Sequence, residues 1–149
     1  MRRRVLSVLL ALFILVGGGR AAVAQASPAP LQAFVADVAR LWAAGDADAL
    51  VDLAPADGRI VLDVGGGSAG PVGQRQAAAA LRAVFGGRTT VSVRAERSTV
   101  SGGSPVSGFG ELRWDSRLRG VSTAHASVVF VGVVWDGRAW RVRELRILD

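Results

Sequence analysis

The chain has 149 residues, with 18 arginines, no lysine and 12 acidic residues, which give a formal net charge of +6. It has one histidine and no cysteine, so a disulfide framework is excluded and an ordinary zinc site is not expected. The acidic residues are interleaved with the arginines, which argues against the clustered basic patch of a nucleic-acid binder. We therefore predict no nucleic-acid partner, no bound metal and no cofactor.

The first 26 residues have the three parts of a secretory signal peptide. Three arginines follow Met1, a mostly apolar run spans residues 5–16, and residues 24–26 (Ala-Gln-Ala) fit the rule for signal peptidase. The apolar run has 12 residues, whereas a helix needs ~20 residues to cross a bilayer. We predict an exported protein, periplasmic or secreted, with a single domain over residues 27–149 and no membrane contact after cleavage.

Two helices are predicted at the start of this domain. Residues 31–44 carry apolar side chains at the spacing of an amphipathic helix, and Gly45 is a candidate C-cap. Asp46 then opens a short second helix over residues 47–53, which Pro55 ends.

A strand, a loop and a third helix follow. Residues 59–64 alternate as a strand, and residues 74–85 favour a helix that Gly86 and Gly87 close. The glycine-rich segment 65–73 between them lacks the spacing of a phosphate-binding loop. We interpret it as a flexible connection or a lid.

The rest of the chain is predicted to be strand. The four segments are residues 89–100, 105–115, 121–135 and 138–148, and Asp-Gly at 136–137 is a hairpin turn signal. Helices that precede a run of strands indicate an α+β domain. We expect three N-terminal helices packed on a curved, mostly antiparallel sheet.

With this order of elements the chain resembles the nuclear transport factor 2-like superfamily, which has a cone-shaped, cystatin-like fold. The resemblance is carried by the helix end at residues 41–46, the strand at 59–63, the helix at 75–85 and the closing strand at 140–147. It is greatest to small exported members of uncharacterised function. It implies a pocket between the concave sheet face and the helices, and dimerisation through the convex face.

The hairpin around residues 136–137 defines two faces. A two-residue turn would pair Trp135 with Arg138, Val133 with Trp140 and Val131 with Val142. The predicted core face then consists of Val129, Val131, Val133, Trp135, Trp140 and Val142.

The opposite face is too apolar to be simply solvated, so we predict a homodimer that forms through Val128, Phe130 and Val134. The apolar phase slips after Val142, which predicts a bulge near Glu144. A bulge earlier in the long strand would exchange the two faces.

The core face turns polar toward the start of the long strand, where a cone has its pocket mouth. A small apolar ligand there would contact Trp42, Trp114, Thr123, His125, Ser127 and Trp140. The alternative is that these aromatic side chains only fill the core.

The resemblance also implies an enzymatic alternative, since ketosteroid isomerase-like and polyketide cyclase-like members use a carboxylate base. Asp63 has the corresponding position at the end of the first strand, although alternation directs it away from the core and the chain has no tyrosine to stabilise an enolate. His125 is a second candidate base if it pairs with Asp63, Glu111 or Asp115.

Three hypotheses therefore remain open. The first, which we favour, is a non-enzymatic exported domain that dimerises and binds a small apolar ligand. The second is an isomerase- or cyclase-like enzyme with Asp63 or His125 as its base. The third is a structural or partner-binding domain whose cone is filled.

Overall fold

The computed structural model describes residues 28–65 and 69–149. The predicted signal peptide, residues 1–26, and the centre of the predicted lid, residues 66–68, lie outside the described residues. In the part of the chain that is described, no helix is long and apolar enough to span a bilayer.

Among the described residues, three helices form where the sequence predicts them. They are α1 (Leu31–Ala44), α2 (Ala47–Asp52) and α3 (Gln74–Gly87). Gly45 ends α1 with a φ of +67°, a left-handed conformation that glycine adopts without steric cost. The carboxylate of Asp46 caps α2 by accepting a backbone N–H of its first turn at 3.0 Å. The connection between α1 and α2 is therefore sharp and fixed.

Within residues 28–65 and 69–149, six strands form one curved, open sheet. They are β1 (Arg59–Asp63), β2 (Gly70–Gly73), β3 (Arg88–Gly102), β4 (Ser107–Leu118), β5 (His125–Trp135) and β6 (Trp140–Leu148). Their order is β2-β1-β6-β5-β4-β3, and only the β1–β6 pair is parallel. The predicted α+β class with a mostly antiparallel sheet is confirmed.

Strand β2 was not predicted. Its residues, Gly70–Gly73, carry neither alternation nor a β-branched run apart from Val72. It forms because it pairs with the free edge of β1, a tertiary contact that local sequence does not encode.

The β5–β6 connection differs from the prediction. Trp135 pairs with Trp140 rather than with Arg138, so the loop has four residues, 136–139. The carboxylate of Asp136 accepts two backbone N–H groups inside this loop, each at 2.8 Å, and holds it closed. Because the register moves by two residues and the side-chain period of a strand is also two, the faces of the hairpin are unchanged.

The predicted bulge in β6 is confirmed. Arg143 is the extra residue between Val142 and Glu144, whose partners on β5 are adjacent. The bulge brings Leu145 onto the core face opposite Val131, where the prediction had placed Val142. Pairing between β4 and β5 is continuous, so no earlier bulge exchanges the faces.

The core lies between the helices and the inner face of the sheet. Its largest wholly buried side chains are Trp42, Trp114, Leu50, Ile60, Leu81, Leu112, Leu145, Val35, Val38, Val129, Val131 and Val142. Helix α1 crosses β4 closely at Gly110, where an added Cβ atom would lie 2.5 Å from a methyl group of Val35. Residue 110 has no side chain, which allows this approach and brings α1, with Trp42, close to the sheet.

Candidate functional site

Three aromatic side chains from three elements meet on the inner side of the sheet. The ring of Trp42 on α1 lies 5.1 Å from that of Phe85 on α3 and 5.5 Å from that of Trp114 on β4, both edge to face. Trp42 and Trp114 are wholly buried. We call these three residues the tryptophan cluster.

The two indole N–H groups of the cluster are in different situations. That of Trp114 donates to Oγ1 of Thr90 at 3.1 Å. That of Trp42 has no partner, and it is the only buried side-chain polar atom so placed within the described ranges. A buried donor without an acceptor costs about 1–3 kcal/mol, so native structures rarely keep one that nothing satisfies.

Beyond Trp114 the inner face becomes polar, as the sequence pattern predicts. Ser116 on β4 is 1% exposed, and its strand partner on β5 is His125. Ser127 is 3% exposed and donates to the carboxylate of Asp149 at 2.7 Å. The same carboxylate oxygen lies 3.6 Å from Nε2 of His125. We call Thr90, Ser116, His125 and Ser127 the polar rim.

Arg88 joins the tryptophan cluster to the polar rim. It is the first residue of β3 and is half-buried. Its guanidinium carbon lies 5.2 Å from the centroid of the Trp114 ring, and Nη1 donates to Oγ of Ser116 at 3.5 Å. The sequence does not single out Arg88 or Phe85, because nothing in the local pattern shows which arginine at a helix–strand junction turns inward.

The structure brings only part of the predicted ligand set together. Trp42, Trp114 and Ser127 lie at the cluster and its rim, and His125 is adjacent but mostly exposed. Thr123 precedes β5 and is exposed.

Trp140 lies elsewhere. Its partner Trp135 is eight residues along β5 from Ser127, about 26 Å at the usual rise of a strand. The rings of Trp135 and Trp140 are in contact at 5.5 Å, and the N–H of Trp140 donates to the carbonyl of Ala29 at 2.8 Å. Trp140 therefore closes the far end of the core and fixes the chain that enters α1.

Asp63 lies on the outer face of the sheet. Its neighbours in β1, Ile60 and Leu62, alternate onto the inner face and are buried. Asp63 itself is level with Arg146 of β6 on the side away from the helices. It is thus separated by the sheet from the tryptophan cluster.

The carboxylates proposed as partners of His125 also lie on the outer face. Glu111 forms a bidentate ion pair with Arg97, and Asp115 accepts a hydrogen bond from Ser92 at 2.9 Å. His125 shares the inner side with Ser116. The geometry therefore assembles no carboxylate–imidazole pair at the tryptophan cluster from the candidates that the sequence suggested.

The outer face carries an apolar strip on β4 and β5. Phe109 and Phe130 stack with centroids 5.6 Å apart and an interplanar angle of 21°. Val128 is half-buried beside them, and Val134 is 8% exposed. The strip is the surface that the sequence assigns to a dimer.

A hollow of about 430 Å³ lies on the surface between α2 and α3. The ion pair between Asp48 and Arg82 crosses it. The guanidinium of Arg82 holds the pKa of Asp48 below its ordinary value, and Asp48 raises the pKa of Arg82 in turn. These two charges already satisfy each other within the chain.

No protein-family profile matches the chain, and no curated protein does so either. Solved structures do match it. A nuclear transport factor 2-like protein with a cystatin-like fold from Novosphingobium aromaticivorans is 20% identical, with a TM-score of 0.53; the match covers 78% of this chain and 77% of that one.

Two further structures superpose more closely, each with a TM-score of 0.59. One is a domain of unknown function with a cystatin-like fold from Nostoc punctiforme, 14% identical over 79% of this chain and 74% of that one. The other is a hypothetical protein with a ketosteroid isomerase-like fold from Catenulispora acidiphila, in complex with trimethylamine, 16% identical over 77% and 83%. The chain has the nuclear transport factor 2-like, cystatin-like fold, as the resemblance in its sequence predicts.

Proposed function

We propose that this chain is an exported, non-enzymatic binding domain that holds a small, largely apolar ligand against the tryptophan cluster and dimerises through its outer sheet face. The observation that carries ligand binding is the buried, unpartnered N–H of Trp42. An apolar molecule with one hydrogen-bond acceptor would accept a hydrogen bond from this N–H and pack against the aromatic rings.

The free energy that such a ligand gains follows from the cost of leaving the buried N–H unpaired. Pairing a buried N–H recovers about 1–3 kcal/mol, which corresponds to roughly 5- to 150-fold in affinity. A ligand without an acceptor would gain only from apolar burial. The site should therefore discriminate between molecules of equal size by their acceptor atoms.

Two features favour binding over catalysis. The candidate base Asp63 and the carboxylates Glu111 and Asp115 lie on the outer face, whereas the tryptophan cluster lies on the inner face. The Catenulispora acidiphila protein of the same fold was obtained with a small molecule, which supports a binding role for this architecture.

The dimer is supported by the apolar strip on the outer face. Phe109 and Phe130 form a flat, half-buried stack, and the cross-strand pair Arg97–Glu111 borders it. An apolar centre with a charged border is the usual arrangement of a protein interface.

Native mass spectrometry of the exported protein, purified gently from its own envelope, tests the proposal. We expect a chain that begins at Ser27, a dimer, and additional mass that is released on unfolding. Trp42→Phe should keep the dimer and lose the additional mass, because the ring remains and the free donor is removed.

Trp140→Phe is the matched control, since it removes an N–H group that already donates to Ala29. It should keep the additional mass. Bare polypeptide mass in the wild-type protein would refute ligand binding and favour the structural or partner-binding hypothesis. Equal loss of mass in both variants would show that the loss does not depend on the free N–H of Trp42 and would refute its role in ligand binding.

A further inference from the structure

Arg88 differs from every other arginine in residues 28–65 and 69–149. Of these arginines only Arg88 and Arg141 are not exposed. Arg141 donates to the carboxylate of Asp136 at 2.6 Å. Arg88 has no carboxylate within 4.0 Å in the described ranges, and its polar contact is a 3.5 Å bond to the hydroxyl of Ser116.

A half-buried guanidinium without a counter-ion is unfavourable. Burial removes part of its hydration, and its five N–H donors need acceptors. Here the ring of Trp114 covers one face of the group, and a single long bond uses one donor. The other side-chain N–H groups of Arg88 have no hydrogen-bond partner within the described ranges.

We propose that the ligand of the tryptophan cluster is an anionic amphiphile, whose carboxylate is bound by Arg88 and accepts a hydrogen bond from the N–H of Trp42, and whose apolar body lies against the rings of the cluster. This inference rests on the proposed binding function and names the class of ligand. A guanidinium pairs with a carboxylate through two parallel N–H bonds, a geometry that favours this anion.

The surroundings of Arg88 fit a carboxylate. Ser116 accepts from Arg88, so its own O–H is left to donate to a bound anion. Asp149 is engaged by Ser127 and lies beside His125. Trp42 and Arg88 contact the same indole ring, that of Trp114, at 5.5 and 5.2 Å, which places both donors beside one side chain.

Three probes of nearly equal shape and different charge test the proposal: 4-phenylbutanoate, 4-phenylbutan-1-ol and 4-phenylbutylamine. Isothermal titration calorimetry at pH 7.5 should show the acid binding about tenfold or more tighter than the alcohol, and the amine weakest, since a charge-assisted bond contributes roughly 1.5–3 kcal/mol. In Arg88→Gln the acid should fall to the affinity of the alcohol, while the alcohol is unchanged.

Arg94→Gln is the matched control. Arg94 is an exposed arginine of the same strand, and it is level with Arg113 on the outer face. Arg94→Gln changes the net charge by the same amount as Arg88→Gln but leaves the proposed site intact, so it should keep the preference for the acid. Equal loss in both variants would show a general effect of charge and would overturn the role of Arg88.

The outcomes separate this inference from the proposed function. Binding of the acid and the alcohol with equal affinity, or tightest binding of the amine, would refute the anionic ligand and leave the binding function standing. Binding of none of the three would refute both. If Arg88→Gln does not fold, Arg88→Lys can be used, because lysine keeps the charge without the planar guanidinium. This variant should retain a reduced preference for the acid. An unreduced preference would refute bidentate binding.

Discussion

The close crossing of α1 over β4 gives a quantitative test of how the tryptophan cluster is positioned. In Gly110→Ala the new Cβ atom would lie 2.5 and 2.7 Å from the two methyl groups of Val35. Carbon atoms in contact are normally about 3.5–4.0 Å apart, so the overlap is about 1 Å. Either α1 moves away from the sheet by that amount or Val35 leaves its rotamer.

The expected cost follows from these distances. Adding a methyl group to a packed core usually costs about 1–3 kcal/mol, and replacing glycine in a strand returns about 0.5–1 kcal/mol. We expect a net loss of about 1–2 kcal/mol and a fall in Tm of roughly 5 °C for a domain of this size. Trp42 lies two turns from Val35 on the same face of α1, so binding at the cluster should weaken too.

Thermal unfolding followed by circular dichroism is the assay, with Gly86→Ala as the matched control. An added Cβ at Gly86 meets nothing within 4 Å, so that variant should be neutral or slightly more stable. Val35→Ala alone should cost about 2 kcal/mol for two lost methyl groups.

The double variant Val35→Ala, Gly110→Ala tests whether overlap with the methyl groups of Val35 causes the loss of stability. Without the methyl groups the nearest atom of residue 35 is Cβ, 3.2 Å away, and most of the overlap is gone. The double variant should therefore be about as stable as Val35→Ala alone. If the two effects simply add, the clash at Gly110 is not what sets the position of α1.

Two further predictions concern the hairpin loop and the outer face. Arg141 and two backbone N–H groups hold the pKa of Asp136 below its ordinary value. The ionised carboxylate therefore stabilises the fold above the unfolded pKa near ~3.9, and this stabilisation is lost as the pH falls toward the folded pKa. Asp136→Asn should lower Tm at pH 7 and differ progressively less from wild type below pH 4, whereas an equal difference in Tm at pH 7 and pH 2 would contradict this origin. Phe130→Arg places a charge in the apolar strip, and light scattering should show that this variant is a monomer. Val100→Arg, which changes an exposed valine of β3, should remain a dimer. A dimer that persists in Phe130→Arg would exclude the strip as the interface.

Local periodicity was sufficient for most of the fold. The apolar spacing of α1, the glycine at its end and the alternation of β5 predict both the elements and the face that each one buries, because these patterns depend on neighbouring residues alone. The phase slip after Val142 predicts the bulge at Arg143 for the same reason. An error of two residues in the β5–β6 register left the faces intact.

The site depended on contacts that no local pattern encodes. Ser127 and Trp140 share the predicted inner face of one hairpin, yet they lie near opposite ends of it, so only the first reaches the tryptophan cluster. Phe85 enters that cluster because α3 packs against α2 and β3, which places the Phe85 ring 5.1 Å from that of Trp42.

Patterns in the sequence alone predict the class of this domain, its three described helices, five of its six described strands to within a few residues at most ends, and the inner face of its long strand. Three features depend on the folded structure: β2 pairs with β1, Trp42 meets Trp114 with its N–H unpaired, and Arg88, alone among the arginines of the described residues, is half-buried without a carboxylate within 4.0 Å. The physical reason is that the burial of one side chain against another depends on which elements become neighbours. The order of the strands determines those neighbours, and this order is established only when the whole chain has folded.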